Sequence, residues 1–305
     1  MKIVFMGTPV YALACLKGLY EGGHEVLAVL TQPDKPQGRK QELVPSPVKA
    51  FAIEKGLAIY QPKRAKSKDC YAYLQGLATD VYVVAAYGQI LPQRLLDIAP
   101  LGAVNVHASL LPKYRGASPI QQAILNGDSE TGITIMQMDE GIDTGDILMT
   151  QAVAIDDDDT GGSLHDKLVK VAPPLLLRAL AAIEDGSIRP MKQDDALSSY
   201  APILKRDMGK IDWNRPALDI LNLIRGFNPY PGAYMELAGR RVKVWQAVAT
   251  AIQADGAAVG EVVKPCPKEG LFIKAADGVV HIISLQQEGK RRMTAAEFVR
   301  GGGWL

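Results

Sequence analysis

Apolar residues in the first half of the chain gather in short, nearly continuous runs at 2–7, 25–31, 57–61, 81–87 and 102–108. Between most of them lie stretches with helical spacing, at 10–21, 47–55 and 66–77. Continuous apolar strands alternating with helices predict a largely parallel sheet covered on both faces, because neither face of such a strand is made for water. Farther on, 146–155 reads as another strand, and 160–185 as a long helix interrupted or bent at Pro173 and Pro174. The polar, weakly periodic stretch 188–207 reads as a linker. An amphipathic helix follows at 217–225, then strand-like runs at 233–237, 241–249, 260–263, 271–275 and 279–285, and a final helix. Several short strands with turns between them predict a small barrel. The expected organisation is an α/β domain over 1–187, the linker over 188–207 and a β-rich module over 208–305.

Length supports two domains, since 305 residues exceed one typical domain. The total charge of +1 says little, but residues 208–305 carry 13 Lys and Arg against 9 Asp and Glu. That module is therefore +4 and the remainder −3, which permits contact with a polyanion and equally describes an ordinary solvated surface. No apolar run approaches the roughly 20 residues that span a bilayer. The chain begins directly in a strand without the apolar core of a signal peptide, and the expectation is a soluble, cytoplasmic protein. Cys15, Cys70 and Cys266 are odd in number and far apart, the pattern of reduced thiols. The first strand ends in Met-Gly-Thr-Pro, residues 6–9, with neither GxGxxG nor GxxxxGK[ST]. This argues against dehydrogenases and ATPases on the same kind of scaffold. The four scattered histidines predict no metal site.

The stretch 105–146 carries the chemistry. Asn105 and His107 are two apart in an alternating run, so a strand would set both side chains on one face. Asp143 lies in Gly-Ile-Asp-Thr-Gly-Asp, where Gly141 and Gly145 allow a sharp turn that exposes a carboxylate. Either residue alone is more often a packed histidine or a turn aspartate. Together, an amide, an imidazole and a carboxylate would serve one tetrahedral step if the fold joins loop to strand. The irregular segment 109–116, with Lys113, Tyr114 and Arg115 just after the histidine, has the character of a substrate loop. Two other loops stand out. Residues 87–92 join an aromatic to apolar residues and exposed backbone at Gly88, which suits a flat ring as well as it suits a plain strand-to-helix turn. Residues 32–46 are long and polar, with Lys35, Arg39 and Lys40 as phosphate-binding candidates or as merely solvated charge. Lys290, Arg291 and Arg292 form the densest basic cluster.

With these segments, the chain resembles the formyltransferases that use 10-formyltetrahydrofolate. The resemblance rests on Asn105, His107, Ser-Leu-Leu-Pro-Lys-Tyr-Arg-Gly over 109–116, and Asp143 in its glycine loop. Residues 31–39, 45–49, 211–213, 225–232 and 242–245 place it in the branch whose acceptor is the α-amine of methionine on initiator tRNA. It implies a Rossmann-like, mostly parallel catalytic domain over 1–187, then a small OB-like β-barrel over 208–305 that binds tRNA. It also implies a formyl donor, 10-formyltetrahydrofolate, with no metal, a monomeric cytoplasmic enzyme, and a role in translation initiation. The implied catalytic residues are Asn105 and an N–H of His107, stabilising the oxygen of a tetrahedral intermediate, and Asp143, orienting the histidine and relaying protons. Whether Asp143 or His107 is the immediate base stays open. The implied folate contacts are Tyr87, Gly88, Gln89, Ile90, Leu91, Ser109, Leu110, Leu111, Pro112 and Asp139. The implied tRNA contacts are Lys35, Arg39, Lys40, Lys113, Arg115, Lys290, Arg291 and Arg292. A small-molecule formyltransferase or a formyltetrahydrofolate hydrolase would carry the same trio and would act without tRNA.

Overall fold

The computed structural model describes residues 1–37, 41–254 and 256–302. Its contacts define two compact units. One comprises Met1–Gly116, Thr131–Val153 and His165–Tyr200, the other Ala117–Glu130, Ala154–Leu164 and Ala201–Leu305. Residues 117–130 and 154–164, which chain order assigns to the first domain, thus cluster with the second unit. Their reason is local: the helix at Pro119–Leu125 packs closely on the one at Ala217–Gly226, where Gly226 leaves no spare room beside Leu125 and Ile124.

In chain order the elements are β1 (Lys2–Gly7), α1 (Val10–Glu21), β2 (Glu25–Leu30), β3 (Lys35–Gln37), β4 (Glu42–Val44), α2 (Pro47–Glu54), β5 (Ile59–Tyr60), α3 (Lys68–Gln75), β6 (Val81–Ala85), α4 (Gln93–Leu96) and β7 (Ala103–His107). Then come β8 (Arg115–Gly116), α5 (Pro119–Leu125), β9 (Glu130–Gln137), β10 (Ile147–Ala154) and α6 (Gly161–Glu184). The seven-stranded sheet runs β10-β9-β7-β6-β1-β2-β5. Its pairs from β5 through β7 are parallel, and β9 turns antiparallel against β7. This is the mostly parallel α/β sheet that the apolar runs predict. Ile3, Val4, Phe5 and Met6 are wholly buried, as strands covered on both faces require. Val4 and Met6 share a core with Leu30, Tyr82, Leu74 and Leu95 on one side of the sheet.

Local signals start the helices. Ser46 caps α2, its hydroxyl accepting from the Lys49 N–H, and Pro47 follows where its missing N–H costs nothing. Ser67 does the same for α3. Helix α6 runs continuously through Pro173 and Pro174. Gly18 of α1 sits so close to Pro173 that a Cβ there would collide with its ring. The long loop at 32–46 holds a short antiparallel ribbon, β3 with β4, that alternation did not reveal.

The remaining elements are β11 (Tyr200–Ala201), α7 (Ala217–Gly226), β12 (Ala233–Leu237), β13 (Arg240–Thr250), β14 (Val262–Cys266), β15 (Gly270–Lys274), β16 (Val279–Gln287), β17 (Met293–Thr294) and α8 (Ala295–Arg300). The expected small β module is an antiparallel sheet ordered β12-β13-β16-β15-β14, with β17 on β16. The described pairs form a path rather than a closed ring. Its core joins Ile220 and Ile224 of α7 to Val242, Val244, Ile282 and Phe298. Among the described residues, no helix is long and apolar enough to cross a membrane.

Candidate active site

Strand β7 and the loop after β9 build the site within the first unit. Alternation along β7 buries Val104 and Val106 on one face and sets Asn105 and His107 on the other. Because β9 runs antiparallel to β7, the loop that follows Gln137 folds back over that second face. Met138 N–H donates to the Ala103 carbonyl at its start. Asp143 arrives there with φ +54°, a left-handed conformation that a non-glycine residue adopts at a cost of about 1–3 kcal/mol. Its two glycine neighbours have no room for a side chain. A Cβ at Gly141 would strike the Thr144 hydroxyl, and one at Gly145 the Gln137 carbonyl. Asp139 braces the same turn, accepting from the Gly141 N–H at 3.0 Å and from Thr144 Oγ1 at 2.7 Å.

The three expected catalytic residues meet at the Asp143 carboxylate. Asn105 Nδ2 donates to Oδ1 at 3.2 Å, and the Gly116 N–H donates to Oδ2 at 2.8 Å. His107 Nδ1 stands 3.6 Å from Oδ2, an ionic approach longer than a hydrogen bond. The imidazole is nearly buried at 6% side-chain exposure, whereas Asp143 keeps 16%, so the carboxylate forms part of the accessible surface. His107 Nε2 lies 2.9 Å from the Tyr114 carbonyl, which can only accept, so Nε2 bears a hydrogen. This alters the expected division of labour. The Nε2 N–H is committed to the backbone, and Nδ1 is the nitrogen free for chemistry, a base when the ring is neutral and a donor when it is protonated. Asn105 Nδ2 retains a second N–H beyond the one given to Asp143.

A second network, invisible in the sequence, holds the loop from behind. Gln193 Nε2 donates to the backbone carbonyls of Asp143 at 2.9 Å and Gly145 at 2.7 Å. Its Oε1 accepts from Arg115 Nε at 3.0 Å and Nη2 at 2.9 Å, and Nη2 also reaches Asp195 at 2.7 Å. Both Gln193 and Asp195 fall in the stretch expected as linker. Arg115, expected at the tRNA, has its guanidinium engaged here with 12% side-chain exposure.

The loop after β6 is prebuilt in a similar way. Gln89 is tied to the Ala65 N–H at 2.6 Å and the Pro62 carbonyl at 3.1 Å. Gln32 donates to the Tyr87 carbonyl at 3.0 Å, and Gly88 turns with φ +79°. Tyr87 and Leu91 are buried in the sheet's core, where burial pushes the Tyr87 phenol far up. Ile90 is left 76% exposed, and Ile142 on the Asp143 loop 53%. Each loop therefore presents one large apolar side chain to solvent. Ser109 is wholly buried, its hydroxyl donating to the Lys113 carbonyl at 2.6 Å, so its side chain shapes the 109–116 loop from within. Leu111 packs with Met136 and Ile147. Leu110 and Pro112 are half-buried.

Of the expected cations, Lys35 in β3 and Lys113 are exposed, while Arg39 and Lys40 lie outside the described residues. Lys290 and Arg291 are exposed on the turn between β16 and β17. Arg292 bonds Ser284 through Nε at 2.8 Å and lies over the Trp245 ring at 5.6 Å. Cys15 is buried, and its thiol is pushed up to about 12 by desolvation, which removes it as a nucleophile. Among the described residues, no group of three His, Cys, Asp or Glu side chains is placed to hold a metal.

A mostly parallel sheet that brings an amide, an imidazole and a carboxylate together on an accessible loop suits group transfer, in which a carbonyl is polarised and protons move. The chain belongs to the formyl transferase family, whose model matches residues 1–180, with the model of the formyl transferase C-terminal domain matching 203–303. A methionyl-tRNA formyltransferase of Symbiobacterium thermophilum is 47% identical over 99% of this chain and 93% of its own length. One from Caldanaerobacter subterraneus is 46% identical over 99% and 97%. Among solved structures, the sugar 3N-formyl transferase WlaRD, determined in the presence of dTDP and 5-N-formyl-THF, superposes with a TM-score of 0.69. It is 22% identical and is covered over 95% of this chain and 99% of that one, a likeness of fold.

Proposed function

We infer that this chain transfers the formyl group of 10-formyltetrahydrofolate to the α-amino group of methionine on initiator methionyl-tRNA, producing N-formylmethionyl-tRNA for translation initiation. The observation that carries the chemistry is the convergence of Asn105, His107 and Gly116 on the Asp143 carboxylate. The match to relatives of that activity over nearly the whole chain carries the acceptor.

The donor supplies a formyl carbonyl on a nitrogen leaving group. The loop at 87–91, with Ile90 exposed, its Tyr87 carbonyl held by Gln32 and its Gln89 side chain held by the backbone of Ala65 and Pro62, fits the pterin edge and face. Asp139 and the 109–112 segment are the further contacts proposed for the donor. The second N–H of Asn105 is free to meet the carbonyl oxygen as it gains charge, a role in which one donor is commonly worth about 10²–10³ in rate. With Nε2–H fixed on Tyr114, His107 exchanges protons at Nδ1. A proton held there is paired with Asp143, which makes His107 the immediate base and Asp143 its counter-charge. The amine is itself the nucleophile, so no covalent enzyme intermediate is required.

Lys290, Arg291 and Arg292, together with Lys35, Arg39, Lys40 and Lys113, are the cations proposed for the tRNA backbone. Arg115 is better placed to shape the site than to meet RNA. An enzyme of charged tRNA with three free cysteines belongs in the cytoplasm. The test is incubation with 10-formyltetrahydrofolate and methionyl initiator tRNA, with formyl-methionine measured after deacylation. Product with wild type and none with His107→Ala is expected. Donor deformylation with the tRNA unmodified would transfer the site to a hydrolase or to a small-molecule acceptor.

A further inference from the structure

We propose that Gln193 is a positioning residue for the formyl-transfer site, a clamp that fixes the Asp143 loop through its backbone. All four hydrogen-bonding positions of its amide are used. Both N–H groups go to the carbonyls of Asp143 and Gly145, and both oxygen lone pairs receive Arg115. The left-handed turn at Asp143 lies immediately before the first of those carbonyls, and a Cβ on Gly145, which carries the second, would strike the Gln137 carbonyl. The clamp thus grips the one residue of the loop that is both strained and catalytic. Arg115 anchors it with most of its guanidinium removed from solvent, and Asp195, 83% exposed, balances the charge from the far side. Side-chain bonds to backbone carbonyls do not contribute to the carboxylate's chemistry; they set where it points. The inference rests on the formyl-transfer reading only for what the loop does, not for how the loop is held.

Two variants test it. Gln193→Met keeps the length and removes every polar atom. Gln193→Glu keeps the Arg115 partner and opposes the two carbonyls with oxygens. A catalytic group displaced by an ångström costs about 10²-fold, so either variant is expected to lower kcat by about 10- to 100-fold with KM for donor and tRNA within about twofold. Amide hydrogen exchange, read by mass spectrometry on the full chain, is expected to quicken in 139–146 and nowhere else. Unchanged kcat with unchanged loop exchange overturns the proposal, and so does faster exchange spread through the whole catalytic unit, which would mark a general packing role. Exchange needs no acceptor. A wrong acceptor assignment would show as absent transfer by wild type while the loop still reports on the clamp.

Discussion

Replacing Asn105 by alanine removes two hydrogen-bond donors at once, and the structure separates their consequences. One N–H holds Asp143 Oδ1 at 3.2 Å; the other is the proposed donor to the formyl oxygen. Loss of the first leaves Asp143 still fixed by the Gly116 N–H at 2.8 Å and its loop fixed by Gln193. A hydrogen bond to a charged group is worth about 1.5–3 kcal/mol, so the variant is expected to fold with a modestly lower Tm. Loss of the second falls on the transition state, where one such donor is worth about 2.7–4 kcal/mol, or about 10²–10³ in kcat. Steady-state formylation at saturating methionyl-tRNA, with donor affinity measured separately by fluorescence quenching, distinguishes the two. The expected result is a kcat lower by that factor with KM and donor Kd little changed. A loss carried wholly by KM, or a kcat within about tenfold of wild type, would refute the assignment of Asn105 to the oxyanion.

Gly145→Ala is expected to fold yet lose most of its activity, because the added methyl meets the Gln137 carbonyl and must move the Asp143 loop; kcat alongside thermal melting checks this. Exchanging Lys290 and Arg291 for glutamine should raise KM for tRNA and not for the donor, and flatten the salt dependence of tRNA binding by about 0.7–0.9 log units per log salt for each lost phosphate contact. Iodoacetamide at pH 8 is expected to spare the buried Cys15, whose thiol stays protonated there, and to label the half-buried Cys266 with activity retained; peptide mass mapping reads both.

Much of this arrangement was legible in the residues, for reasons that separate one element from another. Strands β1, β2, β6 and β7 showed because a strand buried on both faces has little choice but to be apolar. The pairing of Asn105 with His107 on one face followed from a period of two, and the turn at Asp143 from its glycines. Strand β9 is less visible: Thr-Gly-Ile-Thr-Ile-Met-Gln, 131–137, runs straight into the glycine loop with no turn residue to mark where the strand ends. Gln193 left no trace at all, since a side chain that bonds backbone carbonyls has no periodic or charged partner in sequence. Arg115 shows the converse. Its charge was plain and invited an RNA role, but charge alone does not reveal a partner, and here the partners are Gln193 and Asp195. Arg39 and Lys40 fall outside the described residues, and the role proposed for them rests on the resemblance.

The most direct test of the account follows the transferred carbon itself. Wild-type protein is given donor labelled with ¹³C at the formyl group together with methionyl initiator tRNA, and the aminoacyl product is released and sequenced by tandem mass spectrometry. The account predicts the label on the α-nitrogen of methionine, abolished by His107→Ala. Label recovered only as free formate, with methionine unmodified, would contradict it.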